Sequence, residues 1–178
     1  MAALRHRILA LPTQPPPHPW KRLTTVAVGG LEAVGFADNS DLLLVISTSG
    51  RGVIDCTTGD RVARDREPPT QESDWYDDVR LSARGIGALT NMRVRVAGLY
   101  GGGLATSTVD AWQLTVIAPI WPDYRVLLSP PFESLYTNLA ASVQVFEDYA
   151  ITACGFSETG RSFVIATASD VTVFGRTT

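Results

Sequence analysis

The chain has 178 residues, 45% of them hydrophobic and 19% charged, with a formal net charge of −3. That length suits one domain that buries roughly 70% of the surface of its unfolded chain. The acidic balance gives little phosphate neutralisation and argues against nucleic acid as a partner, and the aliphatic run LLLVI at 42–46 falls far short of the roughly 18 residues a membrane-spanning helix needs.

Residues 1–20 read as a proline-rich N-terminal arm. Its brief apolar ILAL is interrupted by prolines before a signal-peptide core can form, so the expected compartment is the cytoplasm. LPTQPPPHP at 11–19 favours polyproline II, because proline fixes φ and lacks a donor. Trp20 is placed to anchor the arm against the body. The remainder, 21–178, reads as a single β domain. RLTTVAV (22–28) is β-branched and alternating, and Gly29-Gly30 turns the chain. From 31 to 64 come four short strands separated by DNSD (38–41), SGRG (49–52) and TTGD (57–60), each a turn composition. The second of these strands, LLLVIS, has too many consecutive apolar residues to be half-exposed. It should be central and covered on both faces.

DREPPTQESD (65–74) is a surface loop. In DWYDDVRLSARGIGAL (74–89), Trp75, Val79 and Leu81 have loose helical spacing and Asp74 suits an N-cap, which predicts one or two helical turns. MRVRVAGLY (92–100) alternates apolar and basic residues like a half-exposed strand. DAWQLTVIAPIW (110–121) and YRVLLS (124–129) are further strands. FESLYTNLAASVQV (132–145) predicts a short helix running into a strand.

A second hairpin unit, at about 150–176, echoes the first at about 31–64. An offset of 120 places Gly35-Phe36 on Gly155-Phe156, Asp38 on Glu158, Ser40 on Gly160, and Leu43-Leu44-Val45 on Phe163-Val164-Ile165. This order of features, with GVIDCTTG (52–59) as a third strand and turn, resembles a blade of the tryptophan–aspartate-repeat β-propellers. The tryptophan–aspartate dipeptide and the glycine–histidine pair of those blades are absent. The chain has room for about three and a half blades of that repeat length. The expected fold is therefore all-β: a small propeller-like body, or a two-sheet antiparallel one, built of hairpin units with minor short helical turns. The strand at 22–28 could complete the last unit and bring the chain ends together.

No catalytic signature accompanies this architecture. Gly101-Gly102-Gly103 is not followed by the Lys-Ser or Lys-Thr of a phosphate loop, and reads as a hairpin or a close backbone contact. His6 and His18 are the only histidines; both lie in the arm, and no G-x-S-x-G elbow exists to receive them. Cys56 and Cys154 fall in different units without a C-x-x-C, and read as two free buried thiols. Neither a cofactor nor a metal is expected. The binding candidates are the acidic–aromatic cluster Asp74, Trp75, Tyr76, Asp77 and Asp78, together with Tyr100 and the basic strand face of Arg93 and Arg95, since aromatics with flanking charges suit interface anchors and rims. The expected function is a non-catalytic module that binds another protein, for example an inhibitor or immunity-type protein. The resemblance implies the same, because such propellers usually scaffold interactions. Two alternatives stand beside it: an enzyme or small-ligand protein with a pocket lined by Trp75, Tyr76, Tyr100, Trp112 and Trp121, and a self-associating subunit that closes an incomplete ring as a homodimer.

Overall fold

The structure, a computed structural model, describes residues 2–70 and 73–177. With 47% of its residues in strands and 8% in helix, the chain is all-β. A short helix α1 (Ala2–Leu9) precedes β1 (Trp20–Ala27). The first hairpin unit supplies β2 (Leu31–Phe36), β3 (Leu42–Ser47), β4 (Gly50–Asp55) and β5 (Asp60–Asp65). The middle of the chain gives the short strands β6 (Tyr76–Asp77), β7 (Ser82–Arg84), β8 (Arg93–Arg95) and β9 (Ala97–Gly98). Longer ones follow: β10 (Gln113–Ile120), β11 (Asp123–Ser129) and β12 (Val143–Asp148). The second unit closes the fold with β13 (Ala153–Phe156), β14 (Ser162–Ala166) and β15 (Asp170–Arg176). No described helix is long and apolar enough to cross a membrane.

The strands form four antiparallel sheets, ordered β5-β4-β3-β2-β9, β6-β7-β8, β10-β11-β12 and β1-β15-β14-β13. In the described residues they close into neither a barrel nor a propeller. β3 is central in the first sheet, as its unbroken apolar run requires. Leu43 and Val45 face one side, into a core shared with Val164, Val171 and Val173. Leu44 and Ile46 face the other, against Trp75, Ala83, Leu89 and Val94.

The offset of 120 carries through to the hydrogen-bond register. Gly35 pairs with Leu44 and Leu44 with Val53; Gly155 pairs with Val164 and Val164 with Val173. The sheets also stack head to tail. The face of the first sheet that meets the second presents Leu43 and Ile54. The equivalent face of the second, Phe163 and Phe174, meets Leu114, Val126 and Leu128 of the β10–β12 sheet. The layers therefore run β6–β8, first repeat sheet, second repeat sheet, β10–β12. α1 caps the last layer, inserting Ile8 against Leu127, Leu135 and Leu139. Equivalent turns lock the two repeat sheets together: the hydroxyls of Ser157 and Thr159 donate to Asp41 at 2.7 and 2.8 Å, and the Asn39 amide donates to Glu158 at 2.8 Å.

The glycine of each Gly-Phe pair has a steric reason. The segment after β8 crosses the innermost strand of both repeat sheets, pairing β9 with β2 and bridging Ala105 to Phe156. A Cβ on Gly35 would run into the Arg95 carbonyl, and one on Gly155 into the Leu104 side chain and the Ala105 carbonyl. Only glycine permits that approach.

Three regions differ from the sequence reading. The helical turns predicted within 74–89 reduce to one 3-10 turn at Gly87–Leu89, because β6 and β7 take up the rest. The short helix predicted from 132 is a 3-10 turn at Leu139–Ala141 leading into β12. The arm carries the unanticipated α1, and its extended part is tied down: the Gln14 amide donates to the Gln144 carbonyl at 2.9 Å, and the Gln144 side chain donates to Thr13 at 2.7 Å.

Candidate functional site

The small β6–β8 sheet gathers most of the residues singled out from sequence, and its register divides them. Tyr76, Ala83 and Val94 align across the three strands, as do Asp77, Ser82 and Arg95, with Arg84 opposite Arg93. Because side chains alternate across a sheet, Tyr76 shares the core-facing side with Ala83 and Val94. Asp77, Arg93 and Arg95 take the opposite, solvated side.

On that solvated side the charges are mutually engaged. Arg84 pairs with Asp74 at 3.2 Å and Arg80 with Asp77 at 3.4 Å. Arg93 donates to Ser82 Oγ at 3.1 Å and to the Asp74 carbonyl at 3.4 Å. The Arg80 amide, with its guanidinium in support, holds the Asp77 carboxyl below its usual range. Exposed pairs of this kind contribute little to stability, because solvent screens them. Arg95 stands apart, beside a cavity of about 500 Å³ that it lines with Phe36, Asp38, Phe156 and Glu158.

On the other side the aromatics form a ladder. Trp75 is buried and stacks on Tyr76 at 5.8 Å, while Arg51 covers its ring at 4.5 Å. Trp75 is thus a core anchor between the first repeat sheet and the small sheet. Tyr76 continues outward to Tyr100, ring centroids 6.4 Å apart and tilted by 54°. Tyr100 and Leu99 are the two central residues of a tight turn closed by reciprocal Gly98–Gly101 hydrogen bonds of 2.9 and 3.0 Å. Both are exposed, at 57% and 63%. A two-residue turn has no interior, so its side chains must project.

Between this tip and the loop before β6 lies a cavity of about 370 Å³, lined by Glu32, Pro69, Thr70, Tyr76, Asp78 and Tyr100. Its electrostatics are one-sided. Burial raises the Glu32 carboxyl above its ordinary value, and no cation among the described residues draws it back. Burial, then the negative charge of Glu32 and the neighbouring Tyr100 and Asp78, pushes the Tyr76 phenol up to about 12. Among the described residues the buried Tyr76 hydroxyl has no hydrogen-bond partner, and an orphaned buried polar group costs about 1–3 kcal/mol.

Sequence reasoning found Tyr76, Asp78 and Tyr100 but missed Glu32 and Leu99. The signal for Glu32 was its place as the only charged residue in the otherwise apolar strand LEAVGF. The five aromatics proposed as one pocket do not assemble. Trp112 lies in the core shared by the second repeat sheet and the β10–β12 sheet, and Trp121 is 78% exposed at the β10–β11 hairpin tip.

Groups for covalent chemistry are dispersed. His6 and His18 are both exposed, on α1 and in the arm. Cys56 and Cys154 are free, and burial raises both thiols, Cys154 to about 12, which disfavours the nucleophilic thiolate. Among the described residues no three His, Cys, Asp or Glu side chains come together to hold a metal. No family model matches this chain, and no curated protein matches it.

Proposed function

We propose that this chain is a non-catalytic module that binds another protein, with the Leu99–Tyr100 turn and the adjoining Tyr76 cavity as its contact surface. The observation that carries the reading is the cavity walled by Glu32, Tyr76 and Asp78 and rimmed by an exposed aliphatic–aromatic tip. Projecting tyrosines beside desolvated polar groups have the character of interface hot spots. The blade resemblance belongs to the same proposal. It is supported by the head-to-tail stacking of the repeat sheets and by β1, which joins the last sheet as its outermost strand. A cytoplasmic setting and a protein partner, rather than nucleic acid or membrane, complete the reading.

The test uses the full chain as bait in an extract of its native host, with Tyr100→Ala as the paired bait. A stoichiometric protein held by the wild type and lost with Tyr100→Ala supports the proposal; removing a hot-spot side chain costs about 2 kcal/mol or more. Equal capture by both baits overturns it. A thermal shift produced by one metabolite, with no protein captured, would favour the small-ligand alternative instead. A dimer by light scattering that Tyr100→Ala dissociates would make the partner a second copy of this chain.

A further inference from the structure

We propose that the Glu32–Tyr76–Tyr100 cavity receives an arginine side chain of the partner, an inference that rests on the protein-binding reading above. Among the described residues, the charged and aromatic groups lining the cavity agree in what they accept. Glu32 comes from β2, Asp78 follows β6, and Tyr76 and Tyr100 contribute aromatic rings. Carboxylates accept hydrogen bonds only, and a phenol oxygen can accept as well as donate. The complementary occupant is a cation with several donors.

Arginine fits better than lysine for two reasons. A guanidinium carries five N–H donors in a planar fork, enough for Glu32 and Asp78 together, and its plane stacks on aromatic faces. The two tyrosine rings, 6.4 Å apart and inclined at 54°, offer such faces on adjacent walls. A lysine ammonium is compact and more strongly hydrated, so it gains less from the rings. An anion is excluded by the two carboxylates.

The chain's own arginines nearby are engaged elsewhere. Arg51 is paired with Asp65 at 3.0 Å and covers Trp75, Arg84 is paired with Asp74, and Arg93 donates to Ser82. None of these turns its guanidinium to the cavity. The same device is already used inside the fold, where Arg51 covers Trp75 and Arg176 covers Trp20 at 4.5 and 4.7 Å. At the cavity an aromatic wall and carboxylates stand together in the same way.

The test is an NMR titration of the full chain with acetyl-Gly-Arg-Gly-amide, following the Tyr76 and Tyr100 ring resonances. The lysine and glutamine versions of the same peptide serve as controls. Saturable millimolar binding of the arginine peptide is expected, weaker binding of the lysine peptide, and none of the glutamine peptide. Glu32→Gln should weaken the arginine peptide by about tenfold, since it removes a charge-assisted hydrogen bond. Tyr76→Phe, which keeps the ring, should weaken it less. Equal shifts from the glutamine peptide, or an unchanged arginine affinity in Glu32→Gln, would overturn the arginine assignment. If Tyr100→Ala still abolished partner capture in that case, the protein-binding reading would stand without it. If capture survived Tyr100→Ala, both would fall.

Discussion

The two repeat sheets share one register and obtain their fourth strand in opposite ways. In the first, β5 follows β4 through a tight turn and pairs with it locally. In the second, the strand beside β15 is the distant β1, which pairs with it from Trp20–Arg176 to Ala27–Asp170. The local strand is charged, DRVARD, and carries no large buried side chain. The distant one brings Trp20, which is buried among Trp112, Phe156 and Phe163. A local hairpin needs little beyond its turn, because closing a short loop costs little entropy. A strand recruited across the whole chain must recover a larger closure cost, and here a buried tryptophan supplies the compensation.

The largest effect should come from breaking the distant pairing. Deleting residues 1–27 removes β1 and Trp20 together. Loss of one buried tryptophan alone costs about 3–5 kcal/mol, against a total stability of roughly 5–15 kcal/mol for a typical domain. The truncated chain should lose its near-ultraviolet circular dichroism and cooperative melting. A sharp, native-like melt would show that β1 is dispensable.

Next in size are the glycines under the crossing segment. Gly35→Ala and Gly155→Ala should each destabilise by about 1–3 kcal/mol, the usual cost of overpacking, as read by urea unfolding. The two should be comparable, since each Cβ meets atoms fixed by the backbone: the Arg95 carbonyl for Gly35, and the Leu104 Cβ and Ala105 carbonyl for Gly155. Gly52→Ala is the control, because its Cβ would find ordinary contact distances. Equal tolerance at all three positions would mean that the segment does not cross where described.

A smaller effect separates the two arginine–tryptophan stacks by pH. Arg176 and then Thr108, by donating to Asp110, hold its carboxyl down to about 2, from an ordinary 3.8. Because the folded value is depressed, the stabilisation is present above pH 3.8 and is lost as pH falls through about 2. The Asp110 side chain is 51% exposed, so solvent screening limits the effect to about 1 kcal/mol at most. Asp110→Asn should lower stability at pH 6 and converge with the wild type below pH 2; a constant difference across that range would refute the pairing.

The smallest effect belongs to the candidate site. Burial raises the Glu32 carboxyl above 4.5, so folding favours its protonated form and stability falls as pH rises through 4.5. Glu32→Gln should therefore melt slightly higher than the wild type at pH 7, with the gain shrinking towards pH 4. A destabilised Glu32→Gln would imply a structural partner for Glu32 and weaken the case for a binding cavity.

Much of the strand framework was legible in the residues. The apolar run of β3 demanded burial on both faces, and the turn compositions at 38–41, 49–52 and 57–60 delimited the first unit. The Gly-Phe pairs marked equivalent positions in the two sheets. The small sheet was not legible, because β6 and β7 span two and three residues, too few for alternation to appear, and Trp75, Val79 and Leu81 imitate a helical stripe. α1 escaped notice for a related reason. Eight residues without an acidic first turn are marginal as an isolated helix, and this one is held by Ile8 against the β10–β12 sheet. Within the candidate site, the tyrosines declared themselves by type. Glu32 gave only the weak signal of one acid in an apolar strand, which looks like a solvent-facing residue until its neighbours are known.

What the residues determine by themselves is local: which stretches are extended, where they turn, and which strand is covered on both sides. These follow from side-chain alternation, proline and glycine stereochemistry and apolar run length, all of which act over a few positions. What the tertiary structure alone decides is the order of the layers and the meeting of Glu32, Tyr76, Asp78 and Tyr100 around one cavity, whereas the pairing of β1 with β15 was already suggested by the unassigned strand at 22–28. Those depend on contacts between residues tens of positions apart, whose closure entropy and desolvation are balanced only when the whole stack is assembled.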